Sequence, residues 1–192
     1  MKILIINAFE NLGGASRAAL RLHNALIGEN IDCTMLVQQK SSNNIKVITK
    51  EGLLNKGLSL IRPALDLIPT RFYKNKDSIL FSPSMLPFSG MVEKINEINP
   101  DIVHFHWICG GMIKIEDIAK ITAPIVWSLH DSWAFTGGCH LKLECEKYKE
   151  SCGACPRLNS NNKNDLSKKV WKRKNKIFFL IPSLTIVGLS NW

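Results

Sequence analysis

The fold is decided by residues 2–28, KILIINAFENLGGASRAALRLHNALIG, which join an apolar run, a glycine turn and an amphipathic stretch. Residues 3–7 lack the polar alternation of a half-exposed strand, which predicts a strand that is buried on both faces. Residues 17–30 place apolar side chains at helical spacing and end in Gly-Glu-Asn. A second apolar run at 32–38 follows, so the sequence predicts a βαβ unit.

The same alternation of strand and helix continues to the end of the chain. Further strands are predicted at 45–49, 101–106, 124–129 and 184–189, and helices at 90–99, 114–122 and 165–179. Residues 50–88 contain an amphipathic region that Pro63 and Pro69 are expected to break, followed by an irregular loop. The sequence therefore predicts an α/β, Rossmann-like three-layer domain with a mostly parallel sheet, and a Cys-rich loop insertion at 131–163.

Composition and charge exclude several classes of protein. The chain has 192 residues, 45% of them hydrophobic, and a net charge of +9, which is ordinary for one globular domain and excludes a disordered chain. The charge is local, since residues 157–176 carry a net +7, residues 50–76 a net +4 and the remainder a net −2. These two segments are either solvated surface or the place where an anionic lipid or polyanion binds.

Localisation is expected to be cytoplasmic. The longest apolar stretch, residues 177–189, is interrupted by Pro182 and is too short to span a bilayer. The apolar run at the N-terminus is too short for the core of a signal peptide. In a reducing compartment, the six cysteines should be thiols or metal ligands rather than disulfides.

Three predicted strands end in residues suited to a polar ligand, and ligands of such sheets bind beyond the carboxyl ends of the strands. These ends are Gly13–Gly14, His106–Trp107 and His130–Asp131. A neutral imidazole at His130 could hydrogen-bond a sugar hydroxyl or polarise a leaving group. His104 shares a strand face with His106, and we expect His104 in the core and His106 to be more open.

The glycine turn suits a phosphate or sugar-phosphate. Gly13, Gly14, Ala15 and Ser16 open the first helix, whose unpaired N–H groups and dipole favour negative charge. The turn is neither a G-x-G-x-x-G dinucleotide motif nor a Walker loop. A plain tight turn remains the alternative.

Four cysteines lie within 17 residues in the spacing C-x5-C-x6-C-x2-C: Cys139, Cys145, Cys152 and Cys155. Four thiolates that end in a C-x-x-C pair fit a closed, tetrahedral structural zinc site. Unligated thiols and a pair of disulfides are the alternatives. Cys33 and Cys109 are expected in or near the core.

Several of these motifs together resemble a known family. NLGGAS (11–16), DIVHFHW (101–107), PIVWSLHDSWAFTGGCH (124–140) and CGACP (152–156) resemble the N-terminal domain of family-4 glycosyltransferases. The likeness is strongest to the bacterial subgroup that acts in capsule, exopolysaccharide and colanic-acid-type synthesis, and it extends nearly end to end.

The resemblance implies one half of a GT-B fold, in which residues 1–189 form the acceptor-side domain and 190–192 begin the interdomain linker. It implies a retaining enzyme that moves a sugar from a nucleotide-diphosphate donor to a glycan or lipid-linked acceptor, often on the inner membrane face. The donor domain with its E-x7-E motif lies outside this chain, so a truncated or split enzyme, inactive alone, is expected. No catalytic cofactor is expected within the chain.

The resemblance also implies roles for single residues. His130 would contact the transferred sugar with Asp131 nearby, and Gly13 and Gly14 would lie against the acceptor or the donor diphosphate. The other candidate substrate contacts are Ala15, Ser16, His106, Trp107 and Trp133.

Two other classes of function stay open on the residues alone. One is a metal-stabilised basic module that binds a polyanion such as RNA, although an aromatic stacking platform is missing, so nucleic acid is not favoured. The other is a small redox or nucleotide-binding protein that uses Cys152 and Cys155, although this pair does not open a helix after a first strand.

Overall fold

The structure is a computed structural model that describes residues 1–189. One sheet of parallel strands runs through it in the order β3-β2-β1-β4-β5-β6. The strands are β1 (Lys2–Phe9), β2 (Asp32–Gln39), β3 (Val47–Ile48), β4 (Ile102–Phe105), β5 (Ile125–Leu129) and β6 (Leu184–Gly188). The predicted parallel α/β architecture is confirmed, and the expected linker at 190–192 lies outside the described residues.

Helices cover both faces of the sheet. They are α1 (Gly13–Gly28), α2 (Leu53–Asp66), α3 (Met91–Ile98) and α4 (Leu166–Phe178), with 3₁₀ turns at Ile68–Phe72, Ile115–Lys120, Lys147–Lys149 and Pro156–Leu158. Strand β1 shows the layering, because Ile3 and Ile5 pack with Ala19 of α1 while Leu4 and Ile6 pack into the larger core on the opposite face. The domain therefore has the three layers of a Rossmann-like fold.

Strands β1 and β4 are neighbours at the centre of the sheet, although α1, β2, β3 and two more helices separate them in sequence. From this pair the chain winds outward in both directions. Such a switch point opens a crevice beyond the carboxyl ends of the central strands, where ligands of this class of fold bind.

Helix α2 runs through Pro63, so the expected break at that proline is wrong. A proline in a helix removes the N–H that would bond to the carbonyl four residues earlier, here Ser59. The Ser59 carbonyl instead accepts a hydrogen bond from Gln39 Nε2 at 2.7 Å. A side chain from the end of β2 therefore replaces the missing backbone donor. Pro69 lies in the 3₁₀ turn that follows α2.

Helix α4, the predicted basic helix, exposes fewer of its positive charges than the sequence indicated. Lys174 is buried, and Arg173 donates to Glu116 at 2.6 and 2.7 Å and to two backbone carbonyls. These two cations bind within the domain. The exposed lysines of α4 are Lys169, Lys172 and Lys176, and this smaller set weakens the case for a polyanion-binding module.

Among residues 1–189, no helix combines the length and the apolar character that a membrane crossing needs. The core thiols Cys33 and Cys109 are buried as expected.

Candidate functional site

A cavity of about 360 Å³ lies at the carboxyl edge of β1, β4 and β5. It brings the glycine turn together with Trp107, His130 and Asp131. Phe9, Leu12 and Leu80 complete its lining with apolar surface. Three separately predicted strand ends therefore meet in one place.

The glycine turn forms one wall of this cavity without a side-chain cap. Helix α1 starts at Gly13, and no side chain accepts from its first N–H groups. Gly13 has φ of +88°, a conformation that favours glycine, and a Cβ built on Gly14 would meet no protein atom within 4 Å. The turn therefore exposes unpaired amides beside open space that a ligand oxygen can enter.

Asn7, which sequence reasoning missed, ties the glycine turn to β4. Its Oδ1 accepts from the Trp107 backbone N–H at 2.8 Å, and its Nδ2 lies 2.8 Å from Ser16 Oγ. Ser16 Oγ donates in turn to the Leu12 carbonyl at 2.7 Å, so this hydroxyl is already engaged within the protein. A polar residue at the end of an otherwise apolar buried run was the signal available in the sequence.

His130 sits on the cavity wall and is held from behind by His106. The distance from His106 Nδ1 to His130 Nε2 is 2.7 Å, and the two rings stack with centroids 5.0 Å apart. His106 is only 5% exposed, so the expectation that it is more open than His104 is wrong. His106 supports the site through His130 and does not line the cavity.

Both imidazoles are neutral near pH 7. Burial lowers the pKa of His106 to about 3, with smaller contributions from His104 and His130. Burial also lowers the pKa of His130, although Asp131 opposes the change. Neutral rings can pair only with one donating and the other accepting.

The proton arrangement of this pair follows from what each ring nitrogen contacts. His106 Nε2 is buried with no partner among residues 1–189. A buried N–H without an acceptor is costly, so we place the His106 proton on Nδ1, where it donates to His130 Nε2. His130 then carries its own proton on Nδ1, and it is a hydrogen-bond donor available to a ligand.

Asp131 is oriented by contacts from its own loop. Its Oδ1 accepts from the Trp133 N–H at 2.8 Å, and its Oδ2 lies 2.6 Å from His140 Nδ1. His140 Nε2 reaches Ser82 Oγ at 2.8 Å. His140, the second residue that the sequence reasoning did not include in the site, therefore holds Asp131 in place from a buried position.

The two tryptophans of the prediction have different places. Trp107 lines the cavity and stacks on Phe9, whereas Trp133 is buried and donates from Nε1 to the Ser82 carbonyl at 2.8 Å. The Trp107 indole N–H is directed at His140 Nδ1, 3.3 Å away, so Trp107 offers the cavity its ring.

Lys174 supports the loop that carries Asp131 and Trp133. Its Nζ donates to the carbonyls of Thr136, at 3.1 Å, and of Trp133, and it lies 3.6 Å from the centre of the Trp133 ring. Burial lowers the pKa of Lys174 to about 7, against opposing contributions from nearby acidic groups. These contacts of Lys174 attach helix α4 to the loop after β5.

The four predicted metal ligands lie together in a separate place. All line one small cavity of about 20 Å³, and all are free thiols. Within residues 1–189, no three His, Cys, Asp or Glu side chains stand in a ready-made arrangement for a metal ion.

Comparison with known proteins finds a partial match. A stretch of 70 residues is 30% identical to a protein of Escherichia coli (strain K12) named as a colanic acid biosynthesis glycosyl transferase, WcaC. The match covers 32% of this chain and 17% of that protein, so it spans less than a fifth of the relative's length. No family model matches the chain, and no solved structure matches it. The partial match supports a relationship between this chain and glycosyltransferases.

Proposed function

We propose that this chain is the acceptor-side, N-terminal domain of a retaining family-4 glycosyltransferase with the GT-B fold. The observation that carries the proposal is the cavity at the β1, β4 and β5 edge, where an uncapped helix N-terminus faces a neutral histidine. The partial likeness to a glycosyl transfer protein supports the same reaction class. The substrates are a nucleotide-diphosphate sugar and a glycan or lipid-linked acceptor of cell-surface polysaccharide synthesis.

Each wall of the cavity has a task in this reaction. The free amides of Gly13 and Gly14 bind phosphate or hydroxyl oxygens, and Trp107 offers an apolar ring. His130 donates from Nδ1 to a hydroxyl of the transferred sugar. Asp131, held by His140, accepts from a second hydroxyl. Neutral His130 suits this role because a sugar hydroxyl carries no charge to match.

The donor nucleotide is assigned to a second Rossmann-like domain that faces this cavity. Residues 1–189 supply one wall of the cleft, and sugar transfer requires the donor to be held opposite it. The chain alone is therefore inactive or nearly so. A donor domain, joined as a fusion or added in trans, is its functional partner.

The side chains of helix α2 support binding of this chain to the inner face of the membrane. Its polar side chains attach it to the domain: Arg62 donates to the Gly111 carbonyl at 2.7 Å, and buried Asp66 accepts from two backbone amides. Its apolar side chains point to solvent instead, with Leu53 90% and Leu54 84% exposed. The same segment carries exposed cations, namely Lys56 within α2 and Arg71, Lys74 and Lys76 after it. Exposed apolar groups together with cations are typical of binding to an anionic bilayer surface.

A sugar-transfer assay tests the proposal. The chain is assayed alone and as a fusion to the donor-binding domain of a GT-B glycosyltransferase, with a panel of UDP-, GDP- and dTDP-sugars and lipid-linked or oligosaccharide acceptors. We expect transfer only from the fusion and retention of the anomeric configuration in the product. Failure of every donor and acceptor with a folded fusion, or an inverted product, would overturn the proposal.

A further inference from the structure

We propose that Cys139, Cys145, Cys152 and Cys155 bind one zinc ion as a closed tetrathiolate site that holds the loop after β5 in place. The four side chains converge on one cavity of about 20 Å³, the size of a single water, although they are spread over 17 residues of irregular chain. Four free thiols around so small a space have the ligand type and number of a structural zinc site. This proposal does not depend on the proposed function.

The C-x-x-C segment is held in a tight turn by the start of α4. Cys152, Gly153 and Ala154 all have positive φ, at +53°, +102° and +43°. The Gly153 N–H donates to Ser167 Oγ at 2.9 Å, and the Cys155 N–H donates to Asp165 Oδ2 at 2.8 Å. Non-glycine residues rarely adopt this conformation, so their surroundings must enforce it. The turn directs both cysteines at the same cavity.

Close packing brings Cys139 to that cavity from the other side. A Cβ on Gly137 would stand 2.4 Å from the Ser167 carbonyl oxygen, and one on Gly138 would stand 2.6 Å from the Phe81 ring. The two glycines therefore let the chain pass between α4 and Phe81 immediately before Cys139. The glycine pair of TGGC has a packing role that the sequence alone did not reveal.

Zinc binding requires that the four thiols lose their protons. Zinc binding replaces those protons with one divalent ion: four Cys–SH and Zn²⁺ give Zn(S-Cys)₄ with charge −2, and four protons go to solvent.

Coordination requires a local adjustment of the thiols. No three side chains of residues 1–189 are already placed for a metal, whereas a tetrahedral site needs Zn–S distances of about 2.3 Å. Cys145 and Cys152 are half-buried, so rotation about χ1 can turn their sulfurs towards the cavity. The ion would pull together a segment that lacks helix and strand apart from two short 3₁₀ turns.

The site would also steady the sugar-binding cavity, because Cys139 is bonded to His140. His140 holds Asp131 at 2.6 Å and Ser82 at 2.8 Å. A fixed Cys139 therefore fixes the residue that orients Asp131. Zinc in this position takes no part in chemistry, since protein sulfurs fill all four positions.

The test is metal content and spectroscopy on the 192-residue chain, purified under reducing conditions without a metal-affinity step. We expect about one zinc per chain. We also expect that the chain, stripped of zinc and reloaded with Co²⁺, shows the intense near-ultraviolet thiolate-to-cobalt bands of a four-sulfur site. Cys155→Ser should lower the zinc content at least five-fold, whereas Cys33→Ala, a cysteine outside the cluster, should leave it unchanged.

Other outcomes would overturn the proposal. Zinc near zero with all six thiols titratable after unfolding would mean plain thiols, and loss of four titratable thiols would mean disulfides. Equal zinc content in Cys155→Ser and in the parent chain would mean adventitious binding elsewhere. Because the Co²⁺ spectrum is measured on the unsubstituted chain, the test remains decisive even if Cys155→Ser does not fold.

Discussion

His106 Nδ1 lies 2.7 Å from His130 Nε2, so a buried, neutral imidazole sets the proton position of the imidazole that faces the cavity. The pair joins the ends of β4 and β5 on one side of the switch point. Its chemistry gives the site a donor whose proton does not depend on pH near neutrality.

The histidine pair predicts acid sensitivity of the fold between pH 7 and pH 5. The unfolded chain binds a proton at His106 below about pH 6.5, whereas the folded chain does so only near pH 3. The unfolded state therefore takes up more protons in this window, and stability falls as pH falls, by up to about 1.4 kcal/mol per pH unit. Urea unfolding at pH 7, 6 and 5 measures the slope.

His106→Gln should reduce that slope, since glutamine does not titrate. Other groups whose pKa changes on folding, such as Asp66, His104 and His130, also contribute to the slope, but they are present in both chains, so the difference between the two slopes reports on His106. An unchanged slope in His106→Gln would contradict the assignment of a buried neutral His106.

Substitution of Gly14 should impair ligand binding while leaving the stability of the fold nearly unchanged. In Gly14→Ala the new methyl group meets no protein atom within 4 Å and enters the cavity beside the free amides. We expect unfolding free energy to change by less than about 1 kcal/mol, because alanine suits a helix. Sugar transfer by the fused enzyme should fall at least ten-fold.

Gly28→Ala is the matched control, since Gly28 ends the same helix and also has open space around it. It should leave transfer unchanged. Equal rates for the two variants would show that the glycine turn is only a turn.

The effects of substituting Gln39 and Pro63 on the free energy of unfolding should depend on each other. Gln39→Ala leaves the Ser59 carbonyl without its donor and should cost about 1 kcal/mol of unfolding free energy. In a Pro63→Ala background the helix supplies its own N–H to that carbonyl, so the same change should cost less. A double-mutant cycle by urea unfolding measures the difference. Additive effects would refute the replacement of the backbone donor by Gln39.

Helix α2 predicts binding to anionic membranes through its leucines. The parent chain should sediment with vesicles that contain anionic lipid, and Leu53→Ser/Leu54→Ser should reduce the bound fraction at least five-fold. Lys169→Ser/Lys172→Ser removes two exposed cations of α4 and should bind almost as the parent does. If the α4 variant loses binding and the α2 variant keeps it, the membrane contact lies on α4 instead.

Much of the fold was predictable because strand and helix periodicity is local. Each signal lies within or beside the element that it predicts. Examples are the apolar run of β1, the glycine turn at the start of α1 and the polar residues at the ends of β4 and β5. The rule that parallel strands share a carboxyl edge then predicts that Gly13, Trp107 and His130 meet, and they do.

The errors came from contacts between distant parts of the chain. Gln39 donates a hydrogen bond to the Ser59 carbonyl in α2, 20 residues away in sequence. Arg173 of α4 pairs with Glu116. Neither contact has a local signature. His106 was expected to be open because it ends a strand, but the neighbouring strand covers it with His130.

The transfer rate of the fused enzyme with His130→Ala tests the central claim most directly. Removal of one preorganised hydrogen-bond donor from a reacting complex costs about 10²–10³-fold in kcat, so His130→Ala should lower kcat/KM at least 100-fold. His104→Ala is the control, because His104 bonds to Ser128 at 2.9 Å and does not line the cavity, and it should stay within about three-fold of the parent. A folded His130→Ala enzyme that transfers sugar at the parent rate would contradict the account.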